Sequence, residues 1–298
     1  MPEPLRIVRD DAGPTAGVFT IFLDDPGKPV TVLDREMIGR LDATLDMIGD
    51  AAAGLVLASS HGRVFVAGAD LKEISDLPDE DLDEYLAQGQ RVLGRISAAP
   101  CCTVAAINGA ALGGGLELAL HCDALLGVEP ANPDKPYRVG LPEASLGLCP
   151  GWGGTNTLPA RVEPGRAVSA TSAGRTFTAF EALEHGLLET LHPDRDALLA
   201  AAKTLAAGPK PERGGRAGEP RNISDPEIAP GVRSALARFE REAPHDAAAE
   251  AVVSCVKAGL DGGFASALAH ERESLIALRS TETARTKIDA FFARATSR

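Results

Sequence analysis

Two carboxylates stand out for the residues around them. Glu117 lies in "GAALGGGLELAL" (Gly109 to Leu120), just after Gly113, Gly114 and Gly115 and inside an otherwise apolar run. Glu143 lies in "VGLPEASLGLCPGWGGTNTLP" (Val139 to Pro159), after a Leu-Pro pair and again among apolar residues and glycines. Each of the three glycines weakens a helix by about 1 kcal/mol relative to alanine, so a helix that starts on them needs another reason. One reason is a turn followed by close helix packing. Another is a helix start whose bare backbone N–H groups face a ligand, because without a Cβ a substrate atom can come close. Each acid alone reads as readily as a solvated or capping carboxylate. As a pair, each beside glycine-rich backbone, they are harder to set aside.

A second stretch of similar character lies upstream. In "FVAGADLKEI" (Phe65 to Ile74) a strand ends, a Gly-Ala pair turns, and Asp70 can start a short helix. That geometry presents a backbone N–H from Ala69, although alone it is also an ordinary strand-to-helix turn. No glycine spacing matches G-x-G-x-x-G, and G-x-x-x-x-G-K-[ST] does not occur. Dinucleotide and P-loop readings are therefore weak.

The elements that must position these residues alternate. "GVFTIFL" (Gly17 to Leu23), "GLVLAS" (Gly54 to Ser59), "VFVAG" (Val64 to Gly68), "CTVAAI" (ending at Ile107) and "ALLGV" (Ala124 to Val128) read as strands. Asn108-Gly109 after "CTVAAI" reads as a turn pair. Leu33, Met37, Leu41, Leu45 and Ile48 recur at helical spacing, with Asp34 placed to cap them. A second helix is expected from about Asp79 to Ile96 and a third through Leu120, and Thr178 with Glu181 makes a capping-box pattern. Strands apolar along their whole length imply a sheet covered on both faces, hence an α/β core. Residues 208–231 are rich in proline and glycine and poor in apolar residues, and read as a linker without the means to fix itself in place. Three helical patterns follow: Asp246 to Leu260, Phe264 to Leu278 and Ser280 to Ala295. The chain is thus divided into a core over 1–207, a linker over 208–231 and a helical region over 232–298.

The bulk numbers agree with such a core. The 298 residues are 44% hydrophobic but only 4% aromatic, so the interior is built from Ala, Val, Leu and Ile. A formal net charge of −12 argues against nucleic acid or an anionic membrane as the main partner. The five cysteines are odd in number and form no C-x-x-C, which suits free thiols in a reducing cytoplasm rather than a disulfide or zinc framework. The N-terminal "MPEPLRIVRDD" is not a secretory signal, and no run of about 18 apolar residues could span a membrane.

"VFVAGADLKEI", "AAINGAALGGGLELALHCD" and "GLPEASLGLCPGWGGTNTLPARV", in that order and spacing, resemble the signatures of the enoyl-CoA hydratase/isomerase (crotonase) superfamily. The tail "GFASALAHERESLIALRSTETARTKIDAFF" is similar to the end of the hydratase region of multifunctional fatty-oxidation proteins, whose dehydrogenase part has no counterpart here. The resemblance implies a crotonase-like ββα spiral core with a C-terminal helical tail, acting on an acyl-CoA thioester and needing no cofactor beyond the coenzyme A of its substrate. It implies that the backbone N–H groups of Ala69 and Gly114 form an oxyanion hole for the thioester oxygen, with the positive helix end at Gly114 adding to it. Glu117 and Glu143 become the catalytic pair, one serving as base for water and one as acid for the α-carbon. Substrate-binding roles are implied for Arg63, Ala67, Asp70, Leu71, Lys72, Trp152 and Arg294. Arg63 and Lys72 stand where basic residues meet CoA phosphates, Arg294 can reach the nucleotide, and Trp152, where relatives carry a small residue, shapes the acyl pocket. The implied activity is 2-enoyl-CoA hydration in fatty acid metabolism. The alternatives are a Δ3,Δ2-enoyl-CoA isomerase, which can manage with Glu143 alone, and a CoA-thioester-binding protein without turnover. A homotrimer or dimer of trimers is the implied assembly.

Overall fold

The computed structural model of the chain describes residues 2–24, 27–212, 216–242 and 246–296. Among these residues, ten strands build two sheets: β1 (Arg6–Arg9), β2 (Val18–Phe22), β3 (Gly54–Ala58), β4 (Val64–Val66), β5 (Cys102–Ile107), β6 (Ala110–Leu112), β7 (Ala124–Val128), β8 (Arg138–Gly140), β9 (Thr176–Thr178) and β10 (Thr190–His192). The larger sheet has the order β1-β2-β3-β5-β7-β10. It is parallel except for β1, which runs antiparallel along β2. β3, β5 and β7 are buried along their whole length, which is why their sequences do not alternate in polarity.

The smaller sheet has the order β4-β6-β8-β9, with β9 antiparallel to β8. The chain therefore lays one strand in the large sheet, the next in the small sheet, and then a helix, and it repeats this cycle. β3 is followed by β4, β5 by β6, and β7 by β8, so the core is a ββα spiral with the crotonase architecture. Asn108-Gly109 joins strands of two different sheets rather than closing a hairpin. Gly109 packs flat on the backbone of Arg63, where an added Cβ would stand 2.2 Å from the Arg63 carbonyl oxygen.

The helices are α1 (Arg35–Ile48), α2 (Leu71–Asp76), α3 (Asp79–Ala98), α4 (Gly114–Leu120), α5 (Gly154–Thr157), α6 (Pro164–Ser172), α7 (Ala179–Glu184), α8 (Arg195–Ala206), α9 (Ala229–Phe239), α10 (Ala247–Gly262), α11 (Phe264–Arg279) and α12 (Glu282–Thr296). Asp34 caps α1 by accepting from the Met37 N–H at 2.7 Å, and the Thr178–Glu181 capping box opens α7. α8 covers one face of the large sheet, with Leu198, Ala202 and Ala206 packed among Val18, Val56, Val104 and Leu126. The other face packs against the main core, which takes in residues from α1, α3, α4 and the small sheet. No helix among the described residues is long and apolar enough to cross a membrane.

The expected linker at 208–231 differs from its sequence reading. Residues 213–215 lie outside the described residues. On one side of them, the Lys210 ammonium donates to the carbonyls of Ser97, Ala99 and Cys101. On the other, Ile223 is fully buried against Ala160, Val168 and Val232, and its N–H donates to the Asn156 carbonyl at 3.1 Å. α9 begins at Ala229, inside the stretch read as linker, because Pro230 is compatible with a first helical turn. One buried isoleucine and a chain of polar anchors hold the described parts of this segment against the core. Composition averages such contacts away.

Candidate active site

Three connections of the spiral converge on one cavity of about 160 Å³. Its walls come from residues 67–74, from the β6–α4 connection with Glu117, and from the segment 142–152, and Leu86, Leu275 and Phe291 close it.

The first wall is held like a strand. Ala67 N–H donates to Thr31 O and Leu33 N–H to Gly68 O, both at 2.8 Å. The Tyr85 hydroxyl donates to the Leu33 carbonyl and accepts from Asp70 N–H at 3.3 Å. These bonds use the groups on one side of the segment. The Ala69 N–H donates to no acceptor among the described residues, and neither does the Gly114 N–H.

The triple glycine now has a reason at each position. Gly113 has φ +52°, a conformation side chains rarely adopt, and a Cβ there would meet Glu143 Oε1 at 2.8 Å. A Cβ on Gly114 would stand 2.4 Å from the Trp152 ring and 3.1 Å from the Ala69 nitrogen. On Gly115 it would stand 2.4 Å from the Val66 carbonyl oxygen. The bare backbone lets α4 start directly against β4, with two unused N–H donors side by side at the cavity.

Glu117 is 2% exposed. Its Oε1 accepts from the N–H groups of Trp152 and Gly154, both at 2.8 Å. Burial raises its pKa from the usual 4.5 to about 7, against the pull of those backbone donors. Glu143 follows β8 and opens a short 3₁₀ turn. Its Oε2 is buried without a hydrogen-bond partner. Burial, and then the nearby Glu117 charge, hold its pKa well above the usual carboxylate range. The cavity thus contains one acid that titrates near neutral pH and a second whose proton is held more tightly than an ordinary carboxyl's.

Trp152 forms the floor. Its indole N–H donates to the Leu86 carbonyl at 3.1 Å, and its ring meets Tyr85 edge to face with centroids 5.6 Å apart. It lies so close to α3 that a Cβ on Gly89 would meet the indole nitrogen at 2.3 Å.

Of the residues singled out in the sequence, Ala67, Ala69, Leu71, Gly114, Glu117, Glu143 and Trp152 line the cavity together. Four do not. Asp70 caps α2, accepting from the Lys72 and Glu73 N–H groups. Lys72 points to solvent and pairs with Asp76 one helical turn on. Arg63 lines a separate surface cleft with Lys135 and Arg195. Arg294 is exposed on α12, its Nε donating to the Ala290 carbonyl, while Phe291, less than one turn earlier, reaches the cavity.

Sequence reasoning missed Glu271, which is fully buried on α11 behind the cavity. A signal for it existed. Phe264, Ala267, Glu271, Leu275 and Leu278 form the buried stripe of α11 at helical spacing, and an acid on such a stripe must find partners inside.

Fold and site together define a protein with a crotonase-type core in which one largely apolar cavity joins two unused backbone donors to two acids. Comparison with known proteins agrees. The enoyl-CoA hydratase/isomerase family matches residues 13–209 of the chain. A protein of Bacillus subtilis (strain 168) described as a probable enoyl-CoA hydratase is 36% identical over 191 residues, covering 63% of this chain and 72% of that protein. The structure of human mitochondrial delta3-delta2-enoyl-CoA isomerase superposes with a TM-score of 0.66 at 23% identity, covering 98% of both chains. That of enoyl-CoA hydratase from Bacillus anthracis superposes with a TM-score of 0.58 at 26% identity, covering 97% of this chain and 96% of the other. The chain belongs to the enoyl-CoA hydratase/isomerase family.

Proposed function

We propose that the protein is a 2-enoyl-CoA hydratase that adds water across the C2–C3 double bond to give a 3-hydroxyacyl-CoA. The observation that carries this reading is the pairing of Glu117 and Glu143 on one cavity beside the N–H groups of Ala69 and Gly114. The thioester oxygen is held by those two N–H groups, which take up the negative charge that develops when C3 is attacked. Glu117, near its titration point, accepts a proton from water as the oxygen bonds to C3. Glu143, whose surroundings favour its protonated form, delivers its proton to C2. Proton exchange between the two acids or with solvent then restores the starting state.

Isomerisation of a 3-enoyl thioester needs one proton shuttle and no oriented water. A second buried acid, held by two backbone donors, favours hydration. A thioester-binding protein without turnover has no use for either acid. Mixing the protein with crotonyl-CoA separates these readings: loss of the enoyl-thioester absorbance supports hydration, and binding without loss removes it. Further expectations belong to the same reading. The substrate is an acyl-CoA, and the buried free cysteines suit a reducing cytoplasm. Phe180 and Leu183, exposed one turn apart on α7, suit packing between subunits of a homotrimer or dimer of trimers. A strictly monomeric mass by light scattering at micromolar concentration would sink the assembly.

A further inference from the structure

The turn 152–155 is held by two buried carboxylates from two distant parts of the chain, and its four successive N–H groups alternate between them. Trp152 N–H and Gly154 N–H donate to Glu117 Oε1, both at 2.8 Å. Gly153 N–H donates to Glu271 Oε2 at 2.6 Å, and Thr155 N–H to Glu271 Oε1 at 3.0 Å. The Thr155 hydroxyl adds a third bond to the Glu271 carboxyl, donating to Oε1 at 2.5 Å. That hydroxyl itself accepts from Asn156 Nδ2 at 2.9 Å, so its own proton faces Glu271. Glu271 is 0% exposed and comes from α11, outside the part of the chain that matches the family.

We infer that Glu271 is a positioning residue for Glu117, clamping from α11 the side of the turn that Glu117 leaves free. This rests on the reading that Glu117 exchanges protons in the reaction. The physical reason is the composition of the turn. Gly151, Gly153 and Gly154 contribute no side chain to pin the backbone, and Gly153 has φ +101°. Such a segment samples many conformations unless bonded on both sides. If the Gly153 and Thr155 donors lost Glu271, the turn would rotate and the Trp152 and Gly154 donors would leave Glu117. Those donors favour its charged form, so their loss raises its titration midpoint.

The other titratable groups around the pair are Glu143 after β8, Cys149 on the cavity wall, Cys255 on α10, His121 at the end of α4 and Tyr85 on α3. No lysine or arginine lines the cavity among the described residues.

The test uses Glu271→Ala and Glu271→Gln in the full chain. The alanine variant removes the clamp. The glutamine variant keeps one oxygen for Thr155 but turns an NH₂ toward the Gly153 N–H, so its effect is intermediate and its shape is preserved. Folding is checked by circular dichroism. The Glu117 midpoint is read directly from the carboxyl infrared band that Glu117→Gln abolishes, which requires no turnover and so survives failure of the hydratase reading. Both variants are expected to raise that midpoint, alanine more than glutamine. They are also expected to lower kcat for crotonyl-CoA by up to about 10²-fold with KM little changed, the cost of a displaced group. A midpoint that stays in place, or that falls as it would if Glu271 acted only as a like charge, overturns the proposal.

Discussion

Glu143 stands directly over Gly113: a methyl group added to Gly113 would lie 2.8 Å from Glu143 Oε1. The acid and the glycine run are thus two sides of one cavity, and Glu117 completes it one helical turn further along α4. Three consequences follow from how closely these parts are fitted, and a fourth from the tryptophan beneath them.

Substituting the acids separates the two kinds of chemistry. Glu117→Gln keeps the shape and the side-chain oxygen that accepts from Trp152 and Gly154, but it cannot take a proton from water. Hydration of crotonyl-CoA should fall by at least about 10²-fold, the lower figure for a positioned acid–base group. Any 3-enoyl to 2-enoyl isomerisation should suffer much less, whereas Glu143→Gln should damage both. Near-wild-type hydration by the Glu117 variant would mean that another residue activates water.

Gly114→Ala is expected to abolish most activity by crowding the backbone donors. Its Cβ would meet the Trp152 ring at 2.4 Å and the Ala69 nitrogen at 3.1 Å. Losing one such donor costs about 10²–10³-fold in rate. The measurement is kcat for crotonyl-CoA beside a thermal melt, since the clash also lowers stability. Full activity would show that the thioester oxygen is held elsewhere.

The raised pKa of Glu117 predicts both rate and stability against pH. Hydration should increase as pH rises through about 7, where Glu117 becomes able to accept a proton. For stability the sign is opposite. The unfolded chain releases this proton near 4.5 and the folded one near 7. Between these values the folded state binds more protons, so this group's contribution falls as pH rises through the window. Urea midpoints across it should therefore decline more steeply for the wild type than for Glu117→Gln. Parallel curves would mean that the buried acid is already ionised.

Trp152 sets the depth of the pocket. Trp152→Ala should raise activity on longer enoyl-CoA esters relative to crotonyl-CoA, because the indole fills the space between Gly89, Gly114 and Leu86. It should also cost about 3–5 kcal/mol of stability, as large-to-small core changes do. A panel of esters of increasing length reads the first effect and denaturant unfolding the second. An unchanged chain-length preference would place the acyl tail along another wall.

Much of this protein is local, and local features are legible. The runs that became β3, β5 and β7, the cap at Asp34, the Thr178–Glu181 box and the helices α10 to α12 follow from apolar spacing and capping side chains within a few residues. The glycine run, the Gly-Ala turn at 68–69 and the two acids were visible as chemistry because their neighbours were wrong for ordinary elements. β6, β8 and β9 were not visible. At three residues each they carry no period, and only pairing between distant segments makes them strands. Tertiary structure alone decided the rest. It buried Glu117 and Glu143 in one cavity and so moved their pKa values, since desolvation depends on every wall and not on the chain nearby. It turned Asp70 into a helix cap and left Arg63, Lys72 and Arg294 away from the cavity. It anchored Ile223 in a stretch whose composition reads as a linker. It also brought Glu271 across more than a hundred residues to the turn that holds Glu117, a meeting that no pattern along the chain could announce.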